Sequence, residues 1–300
     1  MTQPCISVII PTFNRAASLT RLLGSIEAVE KPEDYSVEVL VVDNGSTDET
    51  ENLLETEREK PRRFSLRALR ERQRGKANAL NAGLAAAQGT IMIVIDDDVT
   101  VDPLCLVKHV ECHLTTDFDA VQGRIMPGLD PDGNPADPQR LLEYNIPVTE
   151  HGESACEVAG LTGTNMSFKR GVFENVGYFD GRLGPGASGF SEDTEYSIRI
   201  RNAGYKIGYA PQAIVYHELS PARYGRAYNR AVEYRKGMSR SLYRRESVLF
   251  RVIPKLIARC VAYVVYRALG KAQKAYKTEG RIMKCCGYLV GRLRKAGVRR

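Results

Sequence analysis

Apolar and polar positions follow two rhythms over the first hundred residues. Short runs rich in β-branched residues, at 5–10, 37–42, 64–69 and 91–95, predict buried strands. Between the first two, Leu19, Leu22, Leu23 and Ile26 recur at helical spacing. Strand alternating with helix predicts a parallel sheet covered on both faces, and right-handed crossovers make a doubly wound α/β layer the economical topology. Ligands of such sheets bind beyond the carboxyl ends of the strands, so the polar residues that follow each strand are expected to form one site.

Those residues carry chemistry. The first strand runs into Pro11, Thr12, Phe13, Asn14 and Arg15, the second into Asp43, Asn44, Gly45, Ser46, Thr47 and Asp48. The third leads to Gly75 and Lys76, and the fourth to Asp96, Asp97 and Asp98. Pro, Gly and Asp over 127–138 read as an excursion between two halves. Glycine-rich stretches follow at 161–171 and 181–190, the second leading into a helix for which Ser191 is the expected N-cap. Two strand-like runs, 205–210 and 213–217, close this part of the chain.

Composition divides the molecule. The 300 residues are 43% hydrophobic, ample for one large or two smaller globular units, and carry a net charge of +7. Residues 221–300 hold 22 basic and 3 acidic side chains, a net of +19, which leaves −12 on the first 220. An acidic body thus precedes a basic tail. Seven scattered cysteines make no disulfide framework and suit a reducing compartment. The first residues lack the basic and long apolar segments of a secretion signal, and basic residues interrupt the most apolar part of the tail, so neither secretion nor a spanning helix is expected.

Three adjacent aspartates after an apolar strand repel one another unless a cation neutralises them. Mg²⁺ or Mn²⁺ bridging to a diphosphate answers that need, because magnesium sites use one or two carboxylates plus substrate phosphates. The plain alternative is a solvated turn, with Asp102 and Pro103 opening the next helix. Asp43 can accept hydrogen bonds from a ribose or base edge, or simply close an Asx turn. Lys76 and Arg15 can pair with phosphate or stand as surface charges. Glu192 and Asp193, at a helix start, either act as a general base or offset the helix dipole. Cys105, His109, Cys112 and His113 share one helical face and superficially suggest zinc, but one rigid helix cannot wrap four ligands around a tetrahedral ion, and they read as core and surface residues. His217 ends a predicted strand and can reach the cleft edge.

Taken in order, VIIPTFNR, VVDNGSTD, RGKANALNAGLAAAQG, VIDDD, GTNMSFKRGVFENVGYFD, SEDTEYSIRIRNAGY and IVYH resemble the inverting family 2 glycosyltransferases of GT-A fold, over residues 5–217. The resemblance implies a Rossmann-like mixed sheet flanked by helices, with residues 1–100 as the nucleotide-sugar half, 101–220 as the acceptor and catalytic half, and 221–300 as a basic helical extension. It implies a nucleotide-binding set of Pro11, Thr12, Asn14, Arg15 and Asp43, with Lys76 near the donor. Asp96 and Asp98 match the family's Asp-x-Asp pair: the last ligates the metal, the first approaches the ribose or donor sugar and stands beside the metal, and Asp97 is spared. Asp193 matches the catalytic base, with Glu192 its partner. His217 resembles an additional metal ligand, and Gly163, Thr164 and Asn165 the segment lining the donor sugar.

The implied activity is metal-dependent transfer of a sugar from a nucleotide diphosphate sugar to a hydroxyl of a glycan or lipid-linked acceptor, in the cytoplasm or peripherally on the inner face of the plasma membrane. In the tail, residues 248–269 place Arg251, Lys255 and Arg259 in one helical row, with Leu249, Ile253, Leu256, Ile257 and Val264 largely opposite, Arg267 departing from that division and Pro254 starting or kinking the helix. Such a helix suits an anionic membrane interface, or it packs on the acidic body; both readings stand. A nucleic-acid arm is disfavoured because its apolar content calls for burial. A sugar nucleotidyltransferase is the rival enzyme, without the glycine-rich basic signature expected near the N-terminus.

Overall fold

The structure is a computed structural model that describes residues 4–129, 133–135, 147–220 and 223–297. The described residues form two compact units. The first lies within Met1–Ala136, Ile146–Gly181 and Glu192–Leu219; the second comprises Arg182–Ser191 and the described part of Ser220–Arg300. The second unit therefore takes in a glycine-rich segment that sequence reading assigns to the body.

The first unit is built on one mixed sheet. Its parallel part pairs β3 (Ser65–Arg70), β2 (Ser36–Asp43), β1 (Cys5–Thr12) and β4 (Ile91–Ile95) in that order. Beyond β4 the sheet continues through β8 (Asn165–Lys169), β6 (Ala120–Pro127), β9 (Ile207–His217) and β5 (Val99–Val101), with β7 (Cys156–Glu157) also on β9. β8 runs antiparallel to both β4 and β6, whereas β6 and β9 are parallel.

Period-two alternation sends the strand side chains to two cores. On one face Ile6, Val8, Ile10, Val39 and Ile93 pack with Leu19, Leu22 and Ile26 of α1 (Ala16–Glu27) and Leu106 and Val110 of α4 (Cys105–Thr115). On the other, Ile9, Leu40, Met92 and Val94 pack with Leu80 and Leu84 of α3 (Lys76–Ala86), Val172 of α5 (Arg170–Val176) and Tyr196 and Ile200 of α6 (Glu192–Asn202). Each such aliphatic side chain contributes about 1.5–3 kcal/mol through burial. Gly83 lets α3 approach closely: a Cβ there would stand 2.5 Å from Ile9 Cγ2. That contact seats α3, and with it Lys76, over the sheet. α2 (Thr50–Glu59) completes the helices of this unit.

Three local expectations change. The runs at 205–210 and 213–217 form one strand, β9, whose register against β6 shifts after the Gly123 and Ala210 pair. Pro211 lies in the shift, where its missing N–H costs no ladder bond. Helix α4 begins at Cys105, after a turn in which Asp102 Oδ1 accepts from the Leu104 N–H. Ser191 has φ +79°, outside the extended region of an N-cap, because the glycine-rich chain enters α6 through a left-handed turn. Residues 130–132 and 136–138 of the expected excursion, and Pro221 at the head of the expected tail, lie outside the described residues.

The second unit contains α7 (Arg226–Tyr243), a π-helical turn (Val248–Val252), α8 (Ile253–Ala268) and α9 (Ala272–Gly297). Pro254 falls in the first turn of α8, as the sequence predicts. α7 and α9 meet closely at glycines: a Cβ on Gly287 would lie 1.9 Å from the Tyr234 carbonyl oxygen, and one on Gly237 2.1 Å from that of Lys284.

Candidate active site

The expected site residues converge at one edge of the sheet. Thr12 and Asp43 are register partners at the ends of β1 and β2, and Ile95 pairs with Asn165 where β4 ends and β8 begins. Loops from these ends, the first turns of α3 and α6 and the end of β9 carry the residues that line this edge.

Asn14 adopts φ +51°, which folds the segment after β1 back toward that after β2. Its N–H donates to Ser46 Oγ at 2.9 Å, and its Oδ1 accepts from the Thr47 N–H at 2.7 Å. Asp43 is buried and its Oδ1 accepts from the Ser46 N–H at 2.9 Å, the Asx-type turn of the plain alternative. Asn44, which the sequence marks only as part of the turn after β2, clamps the third loop. Its Nδ2 donates to the carbonyls of Glu71 and Gln73, and its Oδ1 accepts from the Gly75 N–H at 2.7 Å. Lys76 follows directly.

The three aspartates diverge. Asp97, which the resemblance leaves out of the metal pair, is buried and accepts from Thr12 Oγ1 at 2.8 Å and from Arg15 at 3.1 Å. Burial pushes its carboxyl up to about 6; Arg15 works against that shift and Asp98 and Asp96 reinforce it. Arg15 also pairs with Asp98. Burial opposes the charge of Arg15, yet Asp97 and Asp98 hold its pKa above the usual value. Asp96 turns elsewhere: it pairs with Lys76 and its Oδ2 accepts from Thr164 Oγ1 at 2.9 Å.

Asp98 faces His217 instead, with 3.5 Å between Oδ1 and Nε2. His217 Nδ1 lies 2.9 Å from the Glu218 carbonyl, which can only accept, so Nδ1 carries the proton and in the neutral ring Nε2 presents its lone pair toward Asp98. A carboxylate oxygen and an imidazole lone pair turned to one another form a donor pair that fits a divalent cation. Among the described residues no three His, Cys, Asp or Glu side chains converge as a fuller protein metal site. A site of two protein ligands completed by phosphate oxygens is the kind Mg²⁺ favours.

On the opposite side, Lys76 lies 3.8 Å from Glu192 Oε1. Burial disfavours the Lys76 ammonium, but Asp96, Glu192 and Asp193 outweigh it and raise its pKa. Burial, then repulsion by Asp193, pushes the Glu192 carboxyl up to about 7, with Lys76 opposing. Asp193 Oδ2 accepts from the Gly163 N–H at 3.1 Å, and its Oδ1 from the Thr194 N–H at 2.6 Å. A Cβ on Gly163 would stand 3.3 Å from Lys76 Nζ, so the loop backbone, the lysine and Asp193 form one wall.

Behind this wall Asn165, an expected site residue, joins a buried polar chain with His109, Ser167 and His113, which the sequence does not place in the site. His109 Nε2 meets Asn165 Oδ1 at 2.8 Å, Ser167 Oγ meets His109 Nδ1 at 2.9 Å, and His113 Nε2 meets Ser167 Oγ at 2.8 Å. Asn165 Nδ2 donates to the carbonyls of Arg124 and Ala213. The four Cys and His residues of α4 are thus all core, none surface. Burial lowers the pKa of His109 to about 4, keeping it a neutral bridge. Asn165 therefore braces the loop from beneath. The inward alternation of Ser167 in β8 was the available signal; its partner, 58 residues away, was not.

A mixed α/β sheet with carboxylates, a lysine and a glycine loop at its strand ends is the architecture of GT-A glycosyltransferases. Residues 7–177 match the family described as "Glycosyl transferase family 2", and the chain belongs to that family and is a glycosyltransferase. It is 28% identical to "Glycosyltransferase AglE" of Haloferax volcanii over 73% of this chain and 69% of that protein. It is 26% identical to "Poly-beta-1,6-N-acetyl-D-glucosamine synthase" of Staphylococcus epidermidis over 77% of this chain, spanning about half (54%) of that relative. In fold it is similar to the "Mannosyltransferase PcManGT from Pyrobaculum calidifontis in complex with GDP-Man and Mn2+", with TM-score 0.66 at 21% identity over 98% of this chain and 88% of the other. It is also similar to "S. aureus TarS 1-349 in complex with UDP-GlcNAc", with TM-score 0.54 at 17% identity over 97% of this chain and 91% of the other.

Proposed function

We propose that the protein is a divalent-metal-dependent inverting transferase that moves a sugar from a nucleotide diphosphate sugar to a hydroxyl of a glycan or lipid-linked acceptor at the inner face of the plasma membrane. The observation that supports this best is the arrangement of Asp193 on the Gly163 N–H beside Lys76, with the Asp98 and His217 pair at the other side of the aspartate turn. Solved relatives in fold carry GDP-Man with Mn²⁺ and UDP-GlcNAc, which supports the donor class without choosing the sugar.

In this reading Thr12, Asn14, Arg15 and Asp43 receive the nucleoside, with Pro11 shaping the end of β1. Asp96 orients the ribose or sugar side of the donor, and Gly163 and Thr164 line the sugar, whereas Asn165, expected beside them, is fully buried on His109 and supports their turn from behind. Asp98 and His217 would hold the metal, whereas Asp96, expected beside it, is engaged by Lys76 and Thr164. Bound there, Mg²⁺ or Mn²⁺ would supply Lewis-acid stabilisation for the departing diphosphate. Asp193 takes the proton of the acceptor hydroxyl while that oxygen forms its bond to the anomeric carbon. The bond from the anomeric carbon to the diphosphate oxygen breaks with its electron pair on the diphosphate, and the configuration inverts. Lys76 and Glu192 set the field around Asp193.

Incubation of the full chain with a panel of nucleotide sugars and Mn²⁺ or Mg²⁺ tests this. Release of nucleoside diphosphate with an inverted anomer in the product supports it. Release of pyrophosphate, or a retained anomer, overturns it.

A further inference from the structure

Helix α8 is amphipathic but packs the reverse of a globular helix. Val252, Leu256 and Arg259 form the row that meets α9: Val252 and Leu256 pack with Cys285 and Tyr288, and Arg259 Nη1 donates to the Arg281 carbonyl at 3.0 Å. The opposite row, Ile257, Val261, Val264 and Val265, falls at i, i+4, i+7 and i+8 on one face. That face is open: Ile257 is 60%, Val261 59% and Val264 65% exposed, and Phe250 in the preceding π-helical turn is 83% exposed. No residue of α8 is buried. A soluble helix normally turns such a stripe inward, so this one is built for a partner.

Charge identifies the partner. Between Ser247 and Thr278 the chain carries no acidic residue, while Arg251, Arg267, Lys271, Lys274 and Lys277 are exposed. On the helical wheel Arg251 and Arg267 lie on opposite flanks of the stripe, where long basic side chains can reach up to headgroups while the aliphatic residues enter the acyl boundary. A second copy would bring two such basic faces together with no acidic counterpart, and nucleic acid offers nothing for the aliphatic stripe to enter. No described helix is long and apolar enough to cross a membrane.

We infer that the face Phe250, Ile257, Val261 and Val264 is the surface on which the protein lies in the interface of an anionic bilayer, parallel to the membrane plane. This deepens the membrane placement proposed above and rests on it, but it is read without donor or acceptor.

The chain contains no tryptophan, so V261W introduces a single reporter on this face. With vesicles of phosphatidylglycerol and phosphatidylcholine its emission shifts to the blue, and pure phosphatidylcholine gives little shift. The triple variant I257S/V261S/V264S of the full chain floats with anionic vesicles at least about tenfold less than wild type, while its circular dichroism and donor hydrolysis in solution remain those of wild type. Unchanged flotation of the triple variant, no blue shift with anionic vesicles, or a shift that depends on protein concentration without vesicles overturns the inference. Loss of donor hydrolysis in wild type would strike the transferase reading alone.

Discussion

The backbone N–H of Gly163 donates to Asp193 Oδ2 across 3.1 Å, tying a glycine loop ahead of β8 to the first turn of α6. Asn can keep that bond through its amide oxygen but cannot take a proton. Asp193→Asn is therefore expected to leave donor affinity within about twofold while lowering turnover by 10²–10⁴, the usual worth of a general base. Calorimetric titration with the donor nucleotide and a transfer assay check the two halves separately, and wild-type turnover would remove Asp193 from this role.

The donor pair Asp98 and His217 predicts a metal phenotype. His217→Ala should weaken Mn²⁺-supported nucleotide binding by at least about tenfold, on the scale of metal-site substitutions, and Asp98→Ala by more. Nucleotide titrations across a Mn²⁺ series, with a chelator control, decide it; identical metal dependence in variant and wild type would place the cation elsewhere.

Lys76 neutralises Asp96 and Glu192 in a buried setting. Lys76→Met fills the space but leaves both carboxylates uncompensated, an expected loss of about 3 kcal/mol. Urea unfolding at pH 7.5 measures it, and a loss below about 1 kcal/mol would mean that the lysine is dispensable to the fold.

Glu192 gives a pH signature. Its folded pKa of about 7 lies above the ordinary 4.5, so the folded state holds this proton more tightly than the unfolded chain. The stability this contributes is full below pH 4.5 and is lost as pH rises through 7. Glu192→Gln, locked in the neutral form, should then gain on wild type between pH 5 and pH 8 by about 1–3 kcal/mol. Parallel unfolding curves at those two pH values test the sign; a gain that shrinks with rising pH would contradict it.

Much of the site was legible because a strand end is a local event. An apolar run that stops at Asp43 or at Asp96 announces both an element and a polar group beyond it, and the parallel order of strands brings such ends together. The direction of each side chain after the strand is not local. In the run Asp96, Asp97 and Asp98 the sequence offers three equal carboxylates, yet one meets Lys76 and Thr164, one Thr12 and Arg15, and one Arg15 and His217. The roles of Asn44 and His109 are not local for the same reason: each acts through partners on other elements.

The sequence by itself determined the alternation of strands and helices, the edge at which the polar residues gather, the family, and the split between an acidic body and a basic tail, because hydrophobic period and charge are carried residue by residue. Only the tertiary structure decided which carboxylate faces which cation, that the α4 histidines brace the site loop from within the core, and that α8 turns its aliphatic stripe outward. Those outcomes depend on contacts between residues distant in the chain, where packing and desolvation, not local pattern, select the partner.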